Sequence, residues 1–536
     1  MHNNNRHPLQ DTAPIKALSN DINTYDTCGH CACSAQEKDA YHEAFEVPSK
    51  PEEACGVFGV YAPDEDVARL TYFGLHALQH RGQESAGIAV GDGSSVVGIK
   101  DMGLVTQVFD ENALSALTGK VAIGHVRYST SGGHNSWEAA QPHLSTITDE
   151  IIALAHNGTL VNSLSLRRRL VELGVTFRSK ADSEVAAKLI GYFTQESHHM
   201  REGIRRTMEL IEGAYAMVLI TQDALYAFRD PNGIRPLVIG RLPEERGWVV
   251  ASETCGLDIA GAEYYRDVEP GEVIRIKGTG DDGLIIEQAV PAAARALCIF
   301  EYVYFARPDS NINDMNVYQS RDAMGRRLAL EAPVDADAVI GVPDSGVPSA
   351  IGYAGQSGIP YIEGIVKNRY VGRTFIQPTQ ALRQRGIRLK LNPLPSSIAG
   401  KRLVVVDDSI VRGNTSRQLV AMLREAGASE IHMRIVSPPV SWPCFYGIDT
   451  DVQDQLISAK MSIEEIARHI GVDSLAYISE EGLVESVKGK HDGYCTACFS
   501  GSYPVRITEK QQQASFCDTM EPEFWPQETQ GMSTLF

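Results

Sequence analysis

The chain has 536 residues, 43% of them hydrophobic, enough for two or three domains with real cores. Its formal net charge is -19, which argues against nucleic acid as the main partner, because a phosphate backbone calls for a basic surface. No apolar run approaches the roughly 18 residues of a membrane span. The N-terminal MHNNNRHPLQ lacks the charged and apolar regions of a secretory signal, so a cytoplasmic protein is expected.

Residues 1–54 are polar and aperiodic and are expected to be disordered. They hold CGHCAC, with Cys28, His30, Cys31 and Cys33. It reads either as a metal site or as a polar tail with chance cysteines. From 55 to 290, short strands are predicted at GVFGVYA, SAGIAV, SVVGIK, VAIGHVRYS and IIALAHNGTL, with GDGS as a turn. Helices follow at SLSLRRRLVELG, at DSEVAAKLIGYFTQ with Asp182 and Ser183 as caps, and at REGIRRTMELIEG. AYAMVLIT and ALYAFRD are two more strands. This order suggests sheets with helices on their outer faces.

The rhythm changes near 335. ADAVIGVP is a buried strand, DSGVPS a loop, SAIGYAGQSG a helix and PYIEGIV a strand, and 401–436 repeats the order. Buried strands alternating with helices predict a parallel α/β sheet. The chain therefore reads as α/β, with a first domain at 55–290, a second at 291–470, a C-terminal segment at 471–506 and a loose tail at 507–536.

LVVVDDSIVRGNTS carries the clearest chemistry in the second half. Its strand ends in Asp407 and Asp408, and a loop then enters a helix whose free N–H groups suit a phosphate. Two acids at such a strand end suit ribose hydroxyls or Mg²⁺. The segment between Glu363 and Asp407 is rich in Lys and Arg and has no acid, which fits a strongly anionic ligand.

This stretch resembles the phosphoribosyl-pyrophosphate motif of the type I phosphoribosyltransferases. The resemblance implies that Asp407 and Asp408 contact the ribose and the metal, with Ser409 beside them. It implies that Arg412, Gly413, Asn414, Thr415 and Ser416 hold the 5-phosphate. VPDSG resembles the loop that receives pyrophosphate, with Ser345 a third Mg²⁺ ligand. KNRYVGRTFIQPTQ would be a lid carrying Lys367 and Arg373.

In the first half, ACGVFGV, ALQHRGQESAG, GHVRYST, AHNGTL and ADSE together resemble the class II glutamine amidotransferases, whose N-terminal-nucleophile fold is an αββα sandwich. A thiol is a weak nucleophile until deprotonated, and a terminal amine with a pKa of about 7.7–8 can take its proton. If the Ala54–Cys55 bond is cut, Cys55 carries both groups, and residues 1–54 are a propeptide. The resemblance implies an oxyanion hole at Asn157 and the Gly158 N–H. It implies glutamine binding by Arg81, Arg127, Thr130 and Asp182, with Arg81 ordering the site.

The two halves in one chain, with CIFEYVYFARPDS and KNRYVGRTFIQP, resemble the amidophosphoribosyltransferases. The implied activity is that of a pentosyltransferase that moves glutamine-derived ammonia to C1 of phosphoribosyl pyrophosphate, at the start of purine synthesis. One Mg²⁺ per subunit, a homotetramer and inhibition by purine nucleotides are implied with it. The alternative is a sensor that binds phosphoribosyl pyrophosphate without turnover; it would need neither Cys55 nor the HNG and ADSE motifs.

YCTACF places Cys495 and Cys498 at a spacing common in metal sites. The residues by themselves would accept zinc or an iron–sulfur cluster. The family resemblance implies one [4Fe–4S] cluster per subunit on Cys298, Cys444, Cys495 and Cys498.

Overall fold

Val57, Phe58 and Val60 alternate between two different cores, because successive strand side chains point to opposite faces. A computed structural model describes residues 55–128, 137–147, 150–368, 390–448, 450 and 452–507. The expected propeptide, Thr130, Arg373, most of the expected lid and the tail from 508 lie outside the described residues.

Strand Gly56–Tyr61 sits near the middle of a seven-stranded antiparallel sheet. Its neighbours are Gly247–Ala251 and Val121–Arg127; Ser85–Gly91 pairs with the latter and Val96–Met102 lies at the edge. A second antiparallel sheet has six strands, with Glu150–Leu160 between His143–Ile147 and Gly213–Ile220. Val57, Ile123, Ala155, Ala216, Leu237 and Ile274 fill the layer between the sheets. Helices Val67–Ala77 and Thr254–Ala260 cover the first sheet. Helices Ser163–Glu172, Asp182–Ser197 and Met200–Leu210 cover the second. This is the expected αββα sandwich.

Two local expectations change here. Helix Val67–Ala77 has no counterpart in the predicted elements. At its interior Gly74 a Cβ would lie 2.4 Å from the Phe58 ring. The glycine lets the helix press onto the sheet. Asp182 is also not a cap: Ala181 holds that position, and Asp182 is the first helical residue.

The second domain has a four-stranded parallel sheet in the order Ala338–Gly341, Arg402–Asp407, Glu430–Ile435, Ser474–Tyr477. The fourth strand lies beyond 470, so a boundary there would cut the sheet. The expected strand at 360–366 is not a member. Tyr361 makes one bridge to Val339, and Ile365–Lys367 pairs antiparallel with Leu391–Pro393. The expected loop DSGVPS is mostly helix, since Gly346–Ser357 begins inside it. Pro348 is harmless there, because N–H groups in a first helical turn have no helical partner.

Candidate active sites

Cys55 lies at the mouth of the first sheet, partly buried, with its Sγ 3.7 Å from the Tyr128 carbonyl. Burial pushes its thiol up to about 11, while the nearby Arg127 guanidinium pulls the other way and Asp182 adds to the rise. The thiol is therefore protonated near neutrality and needs a base. Arg127 ends its strand with a buried Nη1 that has no partner among the described residues. An unpaired buried guanidinium nitrogen is costly and suits a substrate carboxylate.

Asn157 is fully buried on the facing sheet, and neither its Nδ2 nor its Oδ1 has a partner among the described residues. Gly158 follows at φ +136°, where a Cβ would strike the Ala214 carbonyl at 2.0 Å. Only glycine fits this position. His156 holds the pair in place: Gln141 Oε1 accepts its N–H at 2.8 Å, and His125 Nε2 donates to its carbonyl at 3.0 Å. Burial pushes His125 down to about 3, so the imidazole is neutral. Asp182 accepts the Leu160 N–H at 2.8 Å and faces His156 Nδ1 at 3.7 Å. Burial opposes its charge, but His156 and backbone donors outweigh that and hold its carboxyl below the ordinary range.

Arg81, expected among the glutamine ligands, is instead a buried clamp. Its Nε donates to the Cys55 carbonyl at 3.1 Å, Nη1 to Glu253 at 2.6 Å, and Nη2 to Glu301 at 2.8 Å. Arg235 joins from the other side, reaching Glu301 at 3.3 Å and the Tyr446 carbonyl at 2.8 Å. Two guanidiniums and two carboxylates thus balance in the interior, as buried charges require. The sequence motifs give no role to Glu253, Glu301 or Arg235. The only signal is Glu301 in EYVYF, a run otherwise dominated by its aromatics.

The second site lies at the C-terminal ends of adjacent parallel strands, where ligands of such sheets bind. Asp407 and Asp408 are buried, and Asp408 accepts from Ser409 Oγ at 2.7 Å and from Ser345 Oγ. Ser345 and Asp408 thus meet as hard oxygen donors, which suit Mg²⁺, and Asp407 accepts the Asp408 N–H at 3.0 Å. Gly413, at φ +79°, caps helix Asn414–Glu425, so the N–H groups of Asn414, Thr415 and Ser416 open the helix. The Arg412 side chain pairs with Gln455, at 2.7 Å. Lys367 forms an ion pair with Asp344 of the VPDSG loop. Arg402, one of the basic run, pairs with Asp335 and Asp337 away from the site.

The four expected ligand cysteines converge although they are far apart in the chain. Cys298 stands opposite Cys495 in a parallel strand pair. Cys298, Cys444, Cys495 and Cys498 line one cavity with Ile234, Arg235 and Tyr446. All four are free thiols. Among the described residues no three His, Cys, Asp or Glu side chains are gathered tightly enough for a single ion. A cavity walled by four thiols suits a larger group, and Arg235 offers charge balance for thiolates. Cys255 is simply buried beside Glu253.

A glutamine amidotransferase domain model matches residues 125–258, and a phosphoribosyl transferase domain model matches 311–437. The amidophosphoribosyltransferase of Synechococcus elongatus is 55% identical over 87% of this chain and 94% of its own. That of Bacillus subtilis is 49% identical over 85% and 95%. A solved structure described as the allosteric regulatory enzyme of purine biosynthesis superposes with a TM-score of 0.80 at 48% identity, covering 85% of this chain and 97% of its own. The B. subtilis enzyme, solved with ADP and GMP, gives 0.79 at 48% identity, covering 85% and 98%.

Proposed function

The chain belongs to the amidophosphoribosyltransferase family, and from that premise we propose how its residues divide the work. The reaction is the first step of purine biosynthesis: glutamine, phosphoribosyl pyrophosphate and water give 5-phosphoribosylamine, glutamate and pyrophosphate.

Cys55, freed by loss of a 54-residue propeptide, attacks the glutamine amide, and its own terminal amine takes the thiol proton. Asn157 Nδ2 and the Gly158 N–H receive the oxyanion. Arg127 receives the substrate carboxylate, Asp182 and Thr130 complete the pocket, and Arg81 positions Cys55. Water releases glutamate, and the ammonia passes inside the protein to C1 of the second substrate. Asp407 and Asp408 orient the ribose, and 412–416 hold the 5-phosphate. Ser345, Asp407 and Asp408 would hold Mg²⁺, which supplies charge neutralisation to the departing pyrophosphate. Lys367 and Arg373 close over that pyrophosphate.

The four cysteines would hold a [4Fe–4S] cluster, whose contribution is structural. Purine nucleotides compete at the phosphoribosyl site, a reading supported by the ADP and GMP in the B. subtilis relative. The assembly is a homotetramer in the cytoplasm; no described helix is long and apolar enough to cross a membrane.

The observation that carries the glutaminase reading is the buried Asn157 amide, which, like Arg127 Nη1, has no partner among the described residues. The test compares two routes. Cys55→Ser should abolish synthesis from glutamine and spare synthesis from ammonia. Asp408→Asn should depress both. A Cys55→Ser enzyme that still used glutamine would refute the nucleophile.

A further inference from the structure

The cysteine-lined cavity and the glutaminase site touch through one short run of chain. Tyr446, two residues after Cys444, accepts Arg235 through its carbonyl, and its N–H donates to Cys444 Sγ at 3.4 Å. Arg235 itself lines the cavity. From Arg235 the contacts run to Glu301, then Arg81, then the Cys55 carbonyl. Gly447 comes next in the chain, at φ +110°. A Cβ there would lie 2.9 Å from Arg235 Nη2 and 3.3 Å from Gly158 Cα. The same turn therefore presses on the oxyanion glycine and holds the far end of the clamp on the nucleophile.

We infer that Glu301, Arg235 and Gly447 are positioning residues of the glutaminase reaction, setting the Cys55-to-Gly158 geometry from the wall of the cysteine cavity. The inference rests on the proposed roles of Cys55 and Gly158. Glu301 is shared by both guanidiniums, so its second oxygen and its charge fix where Arg81 sits. Gly447 is glycine because φ +110° is a conformation that other residues rarely adopt, and a Cβ there would crowd Arg235 and Gly158. The arrangement makes the glutaminase depend on a turn of the second domain, and it predicts that disorder at the cavity wall impairs glutamine use before it impairs the phosphoribosyl site.

The test uses purified full-length processed enzyme with Glu301→Gln, Gly447→Ala and Cys55→Ser in parallel. For each, kcat and KM for glutamine, the ammonia-dependent rate and the rate of Cys55 alkylation by iodoacetamide are measured. A displacement of about 1 Å at a reacting centre costs about 100-fold in rate. Glu301→Gln and Gly447→Ala should therefore lose about that much glutamine kcat, with glutamine KM within about twofold and altered Cys55 alkylation. Their ammonia-dependent rate should stay near that of the parent. Glu301→Asp, which keeps the charge, should recover part of the loss. A merely structural role would lower both routes together or raise KM, and either result overturns the inference. So does a parent-like glutamine kcat in both variants. If Cys55→Ser keeps glutamine use, the nucleophile reading has failed instead. If Glu301→Gln does not fold, Gly447→Ala decides, because its added methyl and the strain of an alanine at φ +110° both fall on this turn.

Discussion

Asn157 holds an amide whose two ends are buried and lack partners among the described residues, a cost of about 1–3 kcal/mol per group that substrate would relieve. Asn157→Ala should therefore cut glutamine-dependent kcat by about 10²–10³-fold while leaving the thermal midpoint unchanged or raised. Kinetics and a melting curve on one sample check both halves of that statement. His125 and His143 make a second prediction. Burial holds His125 near 3 and His143 well below its ordinary 6.5. Between those values the unfolded chain binds more protons than the folded one, so stability is complete above about 6.5 and falls as pH drops. Two such groups give a slope of roughly 2.7 kcal/mol per pH unit, twice the single-proton value. Denaturant titrations at pH 7, 6 and 5 should show it, and His125→Asn should halve it. Single motifs such as HNG and HVR are legible in the sequence because each puts its chemistry within three residues. Glu301 is not, because its partner Arg81 lies 220 residues away.

Among the elements, the turn from strand Arg402–Asp407 into helix Asn414–Glu425 forms the proposed phosphate site. Gly413→Ala would force a side chain into φ +79° and place its Cβ 2.8 Å from Ile457 Cδ1. The first helical turn should shift, raising KM for phosphoribosyl pyrophosphate about tenfold, the effect of losing one charge-assisted contact of about 1.4 kcal/mol. Glutamine-dependent and ammonia-dependent synthesis should suffer alike, and hydrolysis of glutamine alone should not. This turn is readable from sequence, since an apolar strand, two acids and a glycine-led helix are contiguous. PYIEGIV misleads because its apolar content suits a strand while its surroundings do not. It touches the sheet edge only at Tyr361, and past Gly364, where a Cβ would lie 2.7 Å from the Ile340 side chain, it pairs with Leu391–Pro393 instead. Only the first turn of helix Gly346–Ser357 is hidden, by Pro348, a breaker everywhere except in such a turn.

In the whole molecule, three distant segments close around the cysteine cavity, near residues 298, 444 and 495–498. No local pattern in the sequence could join them; only the folded chain brings Cys298 opposite Cys495. Protein purified without oxygen should be brown, with about four irons per chain. Cys495→Ser should lose that iron and the packing of the C-terminal segment with it. A colourless, fully active protein with stoichiometric zinc would contradict the cluster. Above all, the proposed chemistry of the first domain begins with the amine of Cys55. Glutamine hydrolysis by two matched chains, each with its N-terminus sequenced, puts this to the test. One begins Met-Cys55 and loses its methionine; the other keeps residues 1–54 behind an uncleavable Ala54 junction. The first should hydrolyse glutamine at the full rate, and the second should be slower by about 10²–10⁴-fold, the worth of a general base. Equal rates would contradict the terminal-amine mechanism and leave Cys55 in need of a side-chain base.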